Sequence, residues 1–211
     1  MVQVVQARDI SLEDLRSQFN LQTTPQKDFL SEWQENLPAP TALEKQQLVR
    51  VQENYLNLAS HKSFSEEMVK MVVLSPLLDL AGFYQSPFRI QTEEPVEITA
   101  EDEGITVRGN IDVLVVQPQF WVLVIESKST RFDVLTALPQ ALAYMLNTPN
   151  LEKPVYGLLV NGREFVFIKL THCPGPLYAR SFALSIERDH ELEQVLGTLK
   201  RIKQQILELG Y

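Results

Sequence analysis

The chain holds a single cysteine, Cys173, among 211 residues. No intrachain disulfide can form, which excludes a disulfide-stapled scaffold. No apolar run approaches the roughly twenty residues that span a bilayer, and no signal-peptide pattern opens the chain. These absences lead us to expect a soluble, cytoplasmic protein with no membrane partner. No G-x-x-x-x-G-K-[ST] sequence occurs, which excludes a P-loop motor within this chain. Positive charge is scarce: 19 Lys and Arg stand against 27 Asp and Glu, a net charge of −8. Phosphate backbones attract basic surfaces, so the total argues weakly against nucleic acid. Its distribution argues the other way. Residues 1–104 carry 8 basic and 17 acidic side chains, whereas residues 105–211 carry 11 and 10. The acidic excess therefore lies in the N-terminal half. It includes Glu101-Asp102-Glu103, a run without calcium-loop spacing that reads as a solvated turn.

Hydrophobic periodicity divides the chain. The first sixty residues read as helices. Ser11-Leu-Glu-Asp14 looks like a helix start, Pro38-Ala-Pro40 is a break, and Thr41-Ala-Leu-Glu44 has the capping-box pattern. Leu48, Val51, Tyr55 and Leu58 then recur at helical spacing. A further helix is expected from Ser65 to Leu80, with Val69, Val72, Val73, Leu77 and Leu80 as its apolar stripe and Gly82 at its end. The pattern then changes to strands over 88–98, 105–116 and 120–125, rich in Val, Ile and Leu. Residues 133–146 return to helix, with Pro139 in the first turns or at a kink. Strands at 155–160 and 165–170 flank Asn161-Gly162, a hairpin turn signal. A strand is expected over 178–186. A last helix carries Leu192, Val195, Leu199, Ile202 and Ile206, whose stripe suits either core packing or a homodimer. The expectation is an α/β (α+β) fold, a mixed central sheet flanked by helices. Residues 1–62 would form a helical extension, 63–186 the core and 187–211 a terminal helix, within one compact domain.

The chemistry concentrates where two strands end. In Trp121-Val-Leu-Val-Ile-Glu126-Ser127-Lys128, an apolar run closes on opposite charges two residues apart. Positions i and i+2 of a strand share a face, so Glu126 and Lys128 point one way and Ser127 the other. A carboxylate at the end of a buried strand is costly unless paired or bound to a metal. Asp112 interrupts the apolar tail of the preceding strand. The short connection Gln117-Pro118-Gln119 suits a hairpin, which would bring Asp112 beside Glu126. Two carboxylates and a backbone carbonyl offer hard oxygen ligands suited to Mg²⁺. A neighbouring lysine can orient or help deprotonate water and stabilise negative charge on a phosphodiester. A salt bridge on a half-exposed hairpin is the competing reading.

Asp112, thirteen intervening residues and Glu126-Ser127-Lys128 resemble the PD-(D/E)XK nuclease superfamily. Ser65-Glu66-Glu67-Met68-Val69 through Gly82-Phe83 resembles the opening helix of the N-terminal nuclease domain of type I restriction-enzyme R subunits. Gly157-Leu-Leu-Val-Asn161-Gly162-Arg163-Glu-Phe165 is similar to that group's later hairpin. The resemblance covers roughly residues 63–172. Ile111 stands where the motif has proline.

The resemblance implies a restriction-endonuclease-like core and Mg²⁺-dependent hydrolysis of DNA leaving 5′-phosphate and 3′-hydroxyl ends, with Mn²⁺ able to substitute. Asp112 and Glu126 would hold the metal, Ser127 would lend only its backbone carbonyl, and Lys128 would be the catalytic lysine. Glu66 would reach the metal through water; it fits equally a capping role in Ser63-Phe-Ser-Glu66, with Glu67 the substitute if the register is shifted. Gln140 and Tyr144, one helical turn apart, match a Gln-xxx-Tyr pattern near the DNA, or an ordinary amphipathic helix with a half-buried tyrosine. Arg131 could contact phosphate, although an exposed loop arginine is commoner. A separate motor or methyltransferase chain is a further expected partner. The alternative function is an inactive nuclease-fold protein that binds nucleic acid or a protein. His172-Cys173 offers too few ligands for zinc and reads as a loop.

Overall fold

The computed structural model describes residues 3–25, 27–99, 105–117 and 120–208. The acidic run 101–103 and the hairpin residues 118–119 lie outside them. Among the described residues, no helix is long and apolar enough to cross a membrane.

The elements follow in chain order. They are β1 (Gln3–Gln6), α1 (Leu12–Phe19), β2 (Gln22–Thr23), α2 (Ala42–Ala59), α3 (Glu66–Val69), α4 (Ser75–Ala81), β3 (Arg89–Thr99), β4 (Ile105–Gln117), β5 (Phe120–Ser127), α5 (Leu138–Leu146), β6 (Val155–Val160), β7 (Glu164–Thr171), β8 (Leu177–Arg180), β9 (Leu184–Ser185) and α6 (Glu191–Glu208). Nine strands among the described residues form one mixed sheet in the order β1-β4-β5-β6-β7-β8-β2, with β3 also on β4 and β9 also on β7. β5 and β6 run parallel, and β3, β4 and β5 are antiparallel neighbours.

The helices cover both faces. On one face Val51 and Tyr55 of α2, Val69, Leu77 and the α6 residues Val195, Leu199 and Ile202 pack on Val113, Ile125, Val160 and Phe167. On the other, Leu15 of α1 and Ala141, Leu142 and Met145 of α5 pack on Ile111, Leu114, Val124 and Ile168. The apolar stripe of α6 is therefore packed in the core.

The segment 1–62 is not purely helical. β1 pairs in parallel with β4, and β2 in parallel with β8. These strands are 4 and 2 residues long, too short for alternation to rise above a helical background. Farther on, residues 178–186 do not form one strand but two, β8 and β9. The expected caps do form at two helices. Ser11 with Asp14 and Thr41 with Glu44 each make both bonds of a capping box. At α3 the cap is Ser65, which accepts from Met68 N–H, and so Glu66 is a first-turn residue and not the partner of Ser63. Pro139 sits in the first turn of α5, where its missing N–H costs nothing. Asn161-Gly162 turns as expected: Gly162 has φ +87°, and the Asn161 side chain accepts from the N–H groups of Arg163 and Glu164.

Two irregularities shape the region around Asp112. Between α3 and α4 the helix widens into a π turn, Lys70–Leu74, in which Ser75 N–H donates to Lys70 C=O. Pro76 lacks an N–H and crowds the carbonyl four residues back, which disfavours regular α geometry there. The second concerns the edge of β4. β3 takes one edge of β4 from Thr106 to Val116. β1 and β5 must then share the other edge, over residues 105–108 and 113–117. Residues 109–112 face the gap between them. A Cβ at Gly109 would stand 2.3 Å from Tyr144 Oη and 2.8 Å from Ala7 Cβ. Glycine is needed there because the phenol fills the space a side chain would take. Gly109→Ala should cost about 1–3 kcal/mol through overpacking. The check is thermal denaturation, where a fall in Tm of several degrees is expected and an unchanged Tm would contradict the tight contact.

Candidate functional site

Each residue at the gap has a cause in the fold. In the β4–β5 register Val113 lies opposite Ile125, so the next pair toward the strand ends is Asp112 and Glu126. Instead of a ladder bond, Asp112 N–H donates to Glu126 Oε1 at 3.4 Å. The Asp112 carboxylate is well supplied with donors. Its Oδ2 accepts from Ser127 N–H at 2.7 Å and from Ser127 Oγ–H at 2.9 Å. Its Oδ1 accepts from Lys70 Nζ at 3.0 Å. The Ser127 hydroxyl thus meets Asp112 on the face of the sheet opposite Glu126. Residues 111 and 113 pack on opposite faces of the sheet. Alternation is broken at Asp112, which lets its side chain meet both Ser127 and Lys70.

Glu126 is in a different position. It has no exposure to solvent, and its Oε2 has no hydrogen-bond partner. Among the described residues it makes no ion pair, since Lys70 bonds Asp112 and Glu93 while Lys128 Nζ donates to Gln140 Oε1 at 3.2 Å. Burial pushes the Glu126 carboxyl well above the usual carboxylate range, and the Asp112 charge pushes the same way. Lys128, the Asp112 backbone bond and Lys70 oppose the shift without cancelling it.

Lys128 is held by a relay. Gln140 Nε2 donates to Tyr144 Oη at 3.1 Å, and Tyr144 is anchored against the gap at Gly109. Tyr144 is 2% exposed, so it cannot touch nucleic acid directly, and the half-buried Gln140 has both ends of its amide engaged. Burial raises the Tyr144 phenol, helped by the charge of Glu126. It acts as a neutral strut that fixes Gln140 and, through it, Lys128. Arg131 is exposed on the loop after β5, with its backbone N–H on Ser129 Oγ.

Glu66 makes no direct hydrogen bond to this group. It is half-buried in the first turn of α3. One turn on, Lys70 reaches Asp112 and also Glu93 Oε1 at 3.2 Å. Lys70 and Glu93 are the site residues that sequence reasoning missed. Pro76 inside the helical stripe was a usable signal for the π turn that begins at Lys70. Glu93 carried no signal: it adopts φ +53° within β3, a left-handed conformation rare for residues other than glycine.

The donor set suits a hard divalent cation in one respect. Glu126 Oε2 is a buried, unpartnered carboxylate oxygen beside a second carboxylate, which a cation would satisfy. Among the described residues no cluster of three or more His, Cys, Asp or Glu could hold a metal. An ion here would depend on two carboxylates, a carbonyl and water, as Mg²⁺ commonly does. Compared with known proteins, the chain matches no family model and no curated sequence.

The elevated Glu126 carboxyl has a consequence for stability. A group whose folded pKa lies above its ordinary value of 4.5 contributes fully below that value, and its contribution is lost as pH rises through the folded pKa. Metal-free protein should therefore lose Tm as pH rises above the ordinary carboxylate range, and Glu126→Gln should flatten that loss. Parallel pH profiles for the two proteins would show that Glu126 is not its source.

Proposed function

We propose that this chain is a metal-dependent phosphodiester hydrolase acting on DNA, with Asp112, Glu126 and Lys128 at its centre. One observation carries the reading: Glu126 is a fully buried carboxylate with an unpartnered oxygen, bonded to the backbone of a second carboxylate and followed two residues later by a fixed lysine. The buried Glu32 also keeps one oxygen without a donor, but Lys169 pairs its other oxygen, whereas Glu126 has no such ammonium. The resemblance of Asp112 and Glu126-Ser127-Lys128 to the PD-(D/E)XK motif gives that arrangement its reaction class.

In this reading Asp112, Glu126 and the Ser127 carbonyl hold Mg²⁺, or Mn²⁺ in its place. A bound ion of this kind supplies Lewis acidity and a more acidic water. The protein's own part is positional. The Asp112 carboxylate is oriented by Ser127 through N–H and Oγ–H. Lys128 is aimed by Gln140, whose amide Tyr144 fixes. Its ammonium is suited to orienting the attacking water and to stabilising negative charge on the phosphoryl oxygens. Arg131, exposed nearby, is suited to a backbone phosphate. A motor or methyltransferase would be supplied by another chain.

A second reading has its own support. Lys70 already neutralises Asp112, as would suit an inactive nuclease-fold protein that binds nucleic acid or a protein partner. Plasmid cleavage separates the two. With Mg²⁺ or Mn²⁺ the wild type should cut DNA. Lys128→Ala should lower the rate by about 10²-fold or more, and Asp112→Ala should abolish cutting. Cleavage that survives Asp112→Ala, or intact DNA binding without any cleavage, would overturn the enzymatic reading.

A further inference from the structure

Resting on the metal-site reading above, we infer that Lys70 is a displaceable counter-ion: its ammonium occupies Asp112 in the metal-free protein, a divalent cation must expel it, and Glu93 is the acceptor that receives it.

Geometry carries this. Asp112 Oδ2 is taken by both Ser127 donors, so Oδ1 is the oxygen left to face a cation, and Lys70 Nζ stands on it at 3.0 Å. Two cations on one carboxylate oxygen repel at short range. The ammonium cannot simply share its place with a divalent ion. It has a second acceptor already in reach, Glu93 Oε1 at 3.2 Å. The Asp112 side chain is 14% exposed and that of Glu93 61%. Moving from one to the other therefore takes Lys70 toward solvent, into a place where its charge costs less.

Two departures from regular structure converge on this ion pair. Lys70 opens the π turn, and single π turns within α-helices are frequent at functional sites. Glu93 takes φ +53° where the β3–β4 register passes from Thr92–Val113 to Glu94–Ile111, opposite Asp112. Unfavourable backbone conformations on separate elements that meet at one contact point to a role beyond packing. Lys70 also borders a groove of ≈ 310 Å³ lined by Met71, Leu74, Leu78 and Tyr84, which leaves room for its side chain to swing.

Calorimetric titration of Mn²⁺ into the full chain tests the inference. Lys70→Met should bind Mn²⁺ at least about tenfold more tightly than wild type. Lys70→Arg, which keeps the charge, should bind no more tightly than wild type, and Glu93→Gln should bind more weakly because the displaced ammonium loses its acceptor. Lys70→Gln replaces the methionine variant if that protein fails to fold, as judged by circular dichroism. Unchanged or weaker binding by Lys70→Met, with binding abolished by Asp112→Asn, would overturn the counter-ion while leaving the metal site standing. Absence of Mn²⁺ binding by both wild type and Lys70→Met would overturn the metal site and the counter-ion with it.

Discussion

A carboxylate without solvent at the end of an apolar strand sets the terms for everything near it. Glu126 follows Val122 to Ile125, all buried, and an ionised group there is costly unless it is compensated. The fold contains a useful contrast. Glu32 is also buried, at 2% exposure, and its Oε2 likewise lacks a donor, but Lys169 Nζ stands 2.5 Å from its Oε1 and the Tyr156 hydroxyl donates there at 2.8 Å. That is how a structural carboxylate is made tolerable inside a protein. Glu126 receives one long backbone hydrogen bond and no ammonium. Both nearby lysines are directed to other partners by neighbouring elements. The imbalance at Glu126 is therefore built from several parts of the structure and is not the result of one missing contact.

The gap in the edge of β4 makes this arrangement possible. A continuous partner strand would have consumed in ladder bonds those N–H groups of residues 109–112 that face this edge, the Asp112 N–H among them. Dividing that edge between β1 and β5 frees Asp112 N–H for Glu126 and opens space at Gly109 for Tyr144. The same phenol then fixes Gln140, and Gln140 fixes Lys128. Sheet topology, a glycine and the direction of Lys128 are thus one chain of cause. β1 is only 4 residues long, yet it defines one wall of the gap.

Much of the layout was legible in the sequence because long periodic segments dominate it. The β3–β5 meander, α5, the β6–β7 hairpin and α6 follow from hydrophobic period and turn chemistry. The nearness of Asp112 to Glu126 followed from a short connection and two-residue alternation. What stayed hidden was set by tertiary contacts. β1 and β2 are held by pairing with distant strands and have too few residues to show a pattern. Ser127 does lie on the face of β5 opposite Glu126, but Asp112 crosses to that face because alternation breaks in β4, a contact that strand periodicity does not foresee. Tyr144 read as a half-buried surface residue because nothing in the sequence says that Gly109 receives it. Lys70 drew no reading at all from the sequence, since its position depends on the wide turn ahead of Pro76.

The two carboxylates are therefore unequal partners, and the inequality bears on how such a site works. Asp112 is fully bonded without any ion, so it holds its place in the metal-free protein. Glu126 is placed by the strand and lacks a counter-charge. A cation arriving here would gain most from Glu126 and would have to compete for Asp112. In that arrangement affinity is set as much by Lys70 and Glu93 as by the ligands themselves. A rigid, fully exposed pair of carboxylates would bind any divalent ion by charge alone. Here an ammonium already holds Asp112 in position, and under the proposed metal reading an incoming ion would have to outcompete it, which would couple occupancy to the movement of a single side chain.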